Sequence, residues 1–272
     1  MGDILTESLY SKQNKRFENI RVCAKSFAAN YCGNVIIRDS IFGIVSNYAR
    51  KKELPFEVLR YPFRDDELWA FTFVKKGTVF LCVNSDLPLC KQFFATAHEL
   101  YHIYCYAEDT NPSTIDGGSV LDSKTADDVA VTQEDLEANA FAGLLLMPDA
   151  LLSEQITVYD IAKESVGVDD VLLMMDLFAI PYKAAVLRLM ECGIISKQKA
   201  QGLLAVDSGT VQKRIDLLGR AKQWQKSNDL VYFGTLNDNL DFNIQEGYLT
   251  EEREKSDQEL LDSLKMRFLR ES

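Results

Sequence analysis

Hydrophobic positions in the first fifty residues recur every three or four places. Phe17, Ile20, Ala24, Phe27 and Tyr31 form one such series and Ile37, Ile41, Ile44, Val45 and Tyr48 another, so the chain opens with two predicted amphipathic helices. After Lys51-Lys52 the texture changes. Pro55 to Phe63 carries two prolines and extended-type residues, and two β-rich runs follow, Leu68 to Val74 and Thr78 to Val83, with Lys75-Lys76-Gly77 between them as a hairpin turn. Asn84-Ser85-Asp86-Leu87-Pro88 then leads into a helical segment, which Ser85 or Asp86 is expected to cap, with Pro88 in the first turn.

From Glu108 to Gln133 the chain is polar and broken by Asn111-Pro112 and Gly117-Gly118, which reads as a long surface loop placed to serve as a substrate flap. Helical spacing resumes at Glu134, with Thr132 as N-cap and Asp135 completing a capping box, and runs through Leu136, Ala140, Phe141, Leu144 and Leu145 to a break at Met147-Pro148. Val171 to Ala179 and Tyr182 to Cys192 read as a helix pair, the second started by Pro181 and ended by Gly193. The tail is expected to hold a basic amphipathic helix (Gln212 to Gln225), a loop rich in Asn and Asp, and a charged helix from Thr250. The division expected is 1–150, 151–205 and 206–272.

A hydrophobic content of 47% over 272 residues supports a real core. With no long apolar run and no basic-then-apolar start, neither a membrane span nor a signal peptide is expected, and the location expected is cytoplasmic. The six cysteines are scattered without a CxxC pair, as reduced core thiols rather than zinc ligands. A net charge of −11 argues against a protein built to grip phosphates and suits a basic partner surface. Lys183 and Arg188 against Glu191 leave the helix pair little for DNA, so direct nucleic-acid binding is not expected.

The only two histidines, His98 and His102, stand four apart around Glu99 in a helical segment. Positions i and i+4 share a helix face, so both imidazoles can hold one ion, while Glu99 can reach an attacking water as general base. Zinc needs a third protein ligand and an open position. With no histidine left, a carboxylate must serve. Glu108 has the spacing of a third histidine ligand in HExxHxxGxxH, but Cys105 stands where that turn needs glycine. Glu137, on the helix beginning near Thr132, suits a His₂Glu site. Glu134 and Asp135 read better as helix N-terminal acids. A strand beside an active-site helix can also pair with an extended substrate, a role open to Thr78–Val83.

His98-Glu99-Leu100-Tyr101-His102, followed by Glu137-Ala138-Asn139-Ala140-Phe141-Ala142-Gly143-Leu144-Leu145-Leu146-Met147-Pro148, resembles the ImmA/IrrE family of metallo-endopeptidases. Asp176 to Pro181 and Ala185 to Ile194 resemble the family's helical segment behind the protease core, so the likeness spans roughly residues 35 to 205. It implies an α+β, zincin-like core, a small antiparallel or mixed sheet with the HExxH helix, followed by a mostly helical region with a helix-turn-helix-like pair. It also implies one Zn²⁺ held by His98, His102 and Glu137, with Glu99 as base. The partner it implies is a protein substrate, a helix-turn-helix repressor of a mobile element, phage or stress circuit. The competing expectation is an antitoxin-like or anti-repressor binding protein whose metal site is structural or vestigial.

Overall fold

In the computed structural model, which describes residues 8–33, 35–108, 119–122, 132–219 and 230–270, both opening series are helical. A short α1 (Leu9–Lys12) leads into α2 (Asn14–Tyr31), whose stripe of Phe17, Ile20, Ala24 and Phe27 is buried. A single 3-10 turn precedes α3 (Ile41–Lys51), which buries Ile41, Val45, Tyr48 and Ala49.

Five strands, β1 (Phe56–Tyr61), β2 (Leu68–Lys75), β3 (Thr78–Asn84), β4 (Ser119–Asp122) and β5 (Tyr232–Phe233), form one mixed sheet in the order β4-β2-β3-β1-β5. Lys75 pairs with Thr78, and the two turn residues between them, Lys76 and Gly77, have φ of 52° and 79°. Two left-handed residues make the turn whose twist matches that of the flanking strands. β1 runs parallel to β3, from Phe56 opposite Val79 to Tyr61 opposite Asn84. β3 is therefore hydrogen-bonded along both edges, and Thr78–Val83 cannot pair with a substrate strand. The expected loop after Glu108 also needs correction, because Ser119–Asp122 adds to β2 as an antiparallel edge. The rest of the expected flap lies outside the described residues.

The helix α4 (Leu89–Ala107) packs against β2, β3, α3 and the later α5 (Gln133–Leu146). Its N-cap is Pro88, not Ser85 or Asp86. Those two are spent in the corner before it: Asp86 accepts from the backbone and guanidinium of Arg64, and Ser85 offers its carbonyl to Gln92. Asn84 donates to the carbonyls of Asp65 and Leu68 and accepts from the amides of Phe63 and Asp86. Gln92 also donates to Leu87. Backbone groups buried in a corner need such partners, since water cannot reach them. Two amide side chains thus set the angle at which α4 leaves the sheet.

The capping box of Thr132 and Asp135 starts α5 as expected, and after Met147-Pro148 the chain continues as α6 (Asp149–Val158). The helix pair is α7 (Val168–Phe178) and α8 (Tyr182–Glu191), with Pro181 as N-cap of the second and Gly193, φ 67°, beyond its end. Arg188 of α8 is fully buried. It donates to the carbonyl of Met147, to Glu191 and to Asp149, closing the α5–α6 break. It is a structural cation, unavailable to a phosphate. Next come α9 (Lys197–Leu204) and α10 (Ser208–Leu217), the latter starting earlier than expected because Asp207 caps it; residues 220–229 lie outside the described set. The Asn/Asp-rich stretch is not a loop but α11 (Thr235–Gln245), followed by the expected terminal helix α12 (Glu251–Arg270). One buried cluster runs from Leu9 through the sheet to Ile215. Among the described residues no single helix is long and apolar enough to cross a membrane.

Candidate metal centre

The HExxH segment occupies the middle of α4, and relative exposures of 1% for His98, 0% for Glu99 and 1% for His102 place it in the core. Three ionisable groups within two turns of a buried helix are costly unless each is satisfied. A chance match on a solvated helix is therefore ruled out. What surrounds them comes from α5, which crosses beside α4.

The two Nε2 atoms face each other at 3.2 Å. Asp135 presents Oδ1 4.0 Å from His98 Nε2, and ligand atoms of His98, His102 and Asp135 all lie within 4.8 Å of one another. On the far side of the first ring, His98 Nδ1 meets Asn139 Oδ1 at 2.9 Å. That oxygen can only accept, so the Nδ1 proton is fixed there and the Nε2 lone pair points at the centre. His102 Nδ1 has Glu134 Oε1 at 3.7 Å in the equivalent place.

Electrostatics separate the two rings. Burial, with the neighbouring His102, pushes His98 well below the ordinary histidine value, so it stays neutral. Burial also lowers His102, but the Glu134 contact and the charges of Glu99, Glu134 and Asp135 outweigh it and leave its pKa raised. The facing nitrogens are thus surrounded by acids that favour a positive charge between them. A divalent cation supplies that charge and uses both lone pairs. Two imidazoles and a carboxylate form a donor set suited to zinc, and the residues present fit a bound ion.

Glu137 is placed elsewhere. Its carboxylate accepts from Arg16 Nε at 2.6 Å, Arg16 Nη2 at 3.1 Å, Tyr101 Oη at 2.7 Å and Gln133 Nε2 at 3.1 Å. Residues two apart on a helix point about 200° apart and residues four apart only about 40°. Asn139 faces His98, so Asp135 does too and Glu137 does not. The carboxylate grouped with the histidines is Asp135, which in the sequence reads only as a helix N-terminal acid. It does both, because Oδ2 holds the Thr132 amide and hydroxyl while Oδ1 faces the rings. The signal was its four-residue spacing from Asn139.

Glu108 is tied to Tyr48 and Lys52 at the end of α4, remote in function from the histidines. Tyr101 is engaged by Glu137, and Tyr104 stacks on Phe141, so both do packing work. The Cys82 thiol is pushed up to about 12 by burial and by the charge of Glu99, and it is not part of the group formed by His98, His102 and Asp135.

A family model described as the IrrE N-terminal-like domain, a peptidase family, matches residues 51–190, half of the chain and all of this centre. The chain belongs to the ImmA/IrrE family. No curated protein matches it. Membership makes a peptidase of metal-dependent type the coarse reading of the centre, and in this ImmA/IrrE chain the matched segment includes His98, Glu99, His102, Asp135 and Asn139.

Proposed function

We propose that the protein is a zinc-dependent, zincin-like endopeptidase that cleaves a regulatory protein, a helix-turn-helix repressor of a mobile element, phage or stress circuit. The observation that carries this reading is the convergence of His98, His102 and Asp135 beside buried Glu99 within a peptidase-family segment. His98, His102 and Asp135 would hold the ion, in place of the expected set with Glu137. When bound, such an ion lowers the pKa of water and polarises the scissile carbonyl. Glu99 takes the proton of the attacking water and passes it to the leaving amine. Asn139 keeps the His98 tautomer correct, and Asp135, anchored by Thr132, cannot swing away. The helix pair serves packing and partner docking rather than DNA reading, as the burial of Arg188 suggests.

The test is incubation of the purified chain, its zinc content measured by elemental mass spectrometry, with purified helix-turn-helix repressors, including any encoded next to its gene. Glu99→Gln is expected to keep about one zinc and to cleave roughly 100- to 10,000-fold more slowly, the range for a lost general base. Cleavage by that variant at the wild-type rate would overturn the mechanism. A regulatory effect that persists in a Glu99→Gln strain would favour the anti-repressor binding protein instead.

A further inference from the structure

Glu137 joins three helices. It sits on α5 between Asp135 and Asn139, and it accepts from Tyr101, which lies on α4 between Glu99 and His102. That bond ties α5 to α4 within one turn of both sets of ligands, beside the packing of Tyr101 on Phe141. The third helix is α2, whose Arg16 grips both Glu137 oxygens, through Nε at 2.6 Å and Nη2 at 3.1 Å. Gln13, just before α2, holds Gln133 at 2.8 Å, itself a Glu137 donor. Behind these, the Phe27 ring of α2 meets Phe141 of α5 at 5.7 Å and Tyr104 of α4 at 6.0 Å. Residues 13, 16 and 27 all precede the family-matched segment 51–190.

We propose that Arg16 and Glu137 form a clamp that sets metal affinity by holding α5 in register with α4, so that a segment outside the family match tunes the centre. The clamp rests on the assignment of His98, His102 and Asp135 as ligands. The opposing account makes Glu137 a ligand, and the two differ in sign. If Glu137 bound the ion, Arg16 and Tyr101 would compete for its oxygens, and loosening them would tighten zinc binding. As a clamp, loosening them weakens it.

Arg16→Lys keeps the charge and loses the two-pronged grip, and Tyr101→Phe removes one hydroxyl. Neither changes the net charge near the ion, so the long-range attraction is constant. The measurement is the zinc dissociation constant of the full chain by competition with a chelator, beside urea unfolding of the metal-free protein. Each variant is expected to raise the constant about 10-fold, the low end for groups that orient ligands. Metal-free Arg16→Lys is expected to unfold at nearly the wild-type midpoint, because the lysine keeps a positive charge against buried Glu137 from a half-exposed position. A merely structural role would move the midpoint and leave the zinc constant alone. Glu137→Gln saturated with cobalt is expected to keep the wild-type visible absorption bands, which report the ligand set. Unchanged or tighter zinc binding in Arg16→Lys, or altered cobalt bands in Glu137→Gln, overturns the clamp. A wild-type chain that takes up no zinc overturns the ligand assignment and the clamp with it.

Discussion

Asp135 carries two duties on two oxygens, and they can be separated. Thr132→Ala removes the N-cap hydroxyl and is expected to cost about 1 kcal/mol in urea unfolding, while the backbone amide of residue 132 still holds Asp135 Oδ2. Asp135→Asn keeps the side-chain shape and removes the charge facing the histidines. Its zinc dissociation constant is expected to rise by more than the roughly 100-fold typical of groups outside the ligand set, and by far more than that of Thr132→Ala. Wild-type zinc affinity in Asp135→Asn would remove it from the ligand set. At this scale His98, Glu99 and His102 were legible because their chemistry is local to one helix face. Asp135 was not, because a capping box already accounts for an acid at that position. Only the pairing of Asn139 with His98, 41 residues apart, tells which acid on α5 faces the centre.

Elements were legible where a period of two or three to four set them, as in α2, α3, the β2–β3 hairpin and α5. The break after α5 was legible too, from Met147-Pro148, but what fills it was not. Arg188 reads in sequence as a surface cation, and the fold buries it to satisfy the Met147 carbonyl and to pair with Asp149 and Glu191. Asp149 gives this junction a pH dependence. Burial works against its ionisation, but the charges of Arg188 and Arg21 and the bonds from Cys192 and Arg188 outweigh it and hold its pKa below the ordinary 3.8. A carboxyl with a depressed folded pKa contributes stability that is complete above the unfolded pKa and is lost as pH falls through the folded one. The urea midpoint is therefore expected to drop as the pH is taken down from about 4. Asp149→Asn should start lower at pH 6 and fall less steeply on that descent. Parallel slopes for the two proteins would show that Asp149 does not link the junction to acid stability.

At the scale of the whole molecule, the C-terminal segment is joined to the sheet by contacts no local pattern announces. β5 pairs with β1 through Leu59 opposite Phe233 and Arg60 opposite Tyr232. Glu57 accepts from the amide and hydroxyl of Thr235, capping α11 from 178 residues away, which is why an Asn/Asp-rich stretch forms a helix there. Phe268 near the end of α12 closes the arrangement against Tyr61 and Phe233, at 4.9 and 5.6 Å. All of this passes through Gly234, with φ 59° and ψ −137°, a conformation open to glycine and strained for any other residue. A Cβ there would overlap the Glu57 carboxylate and come within 3.1 Å of the Val58 carbonyl, and the backbone of β1 cannot yield. Gly234→Ala is thus expected to lose the Glu57 cap and the β1–β5 pairing together. Amide hydrogen exchange should accelerate across 232–270 while α4, packed on β2 and β3, and α5, packed on α4, keep wild-type protection and zinc affinity. If exchange instead accelerates in α4 and α5 as well, the C-terminal segment is part of what holds the metal centre, and if it accelerates nowhere, the Glu57 cap is not what docks it.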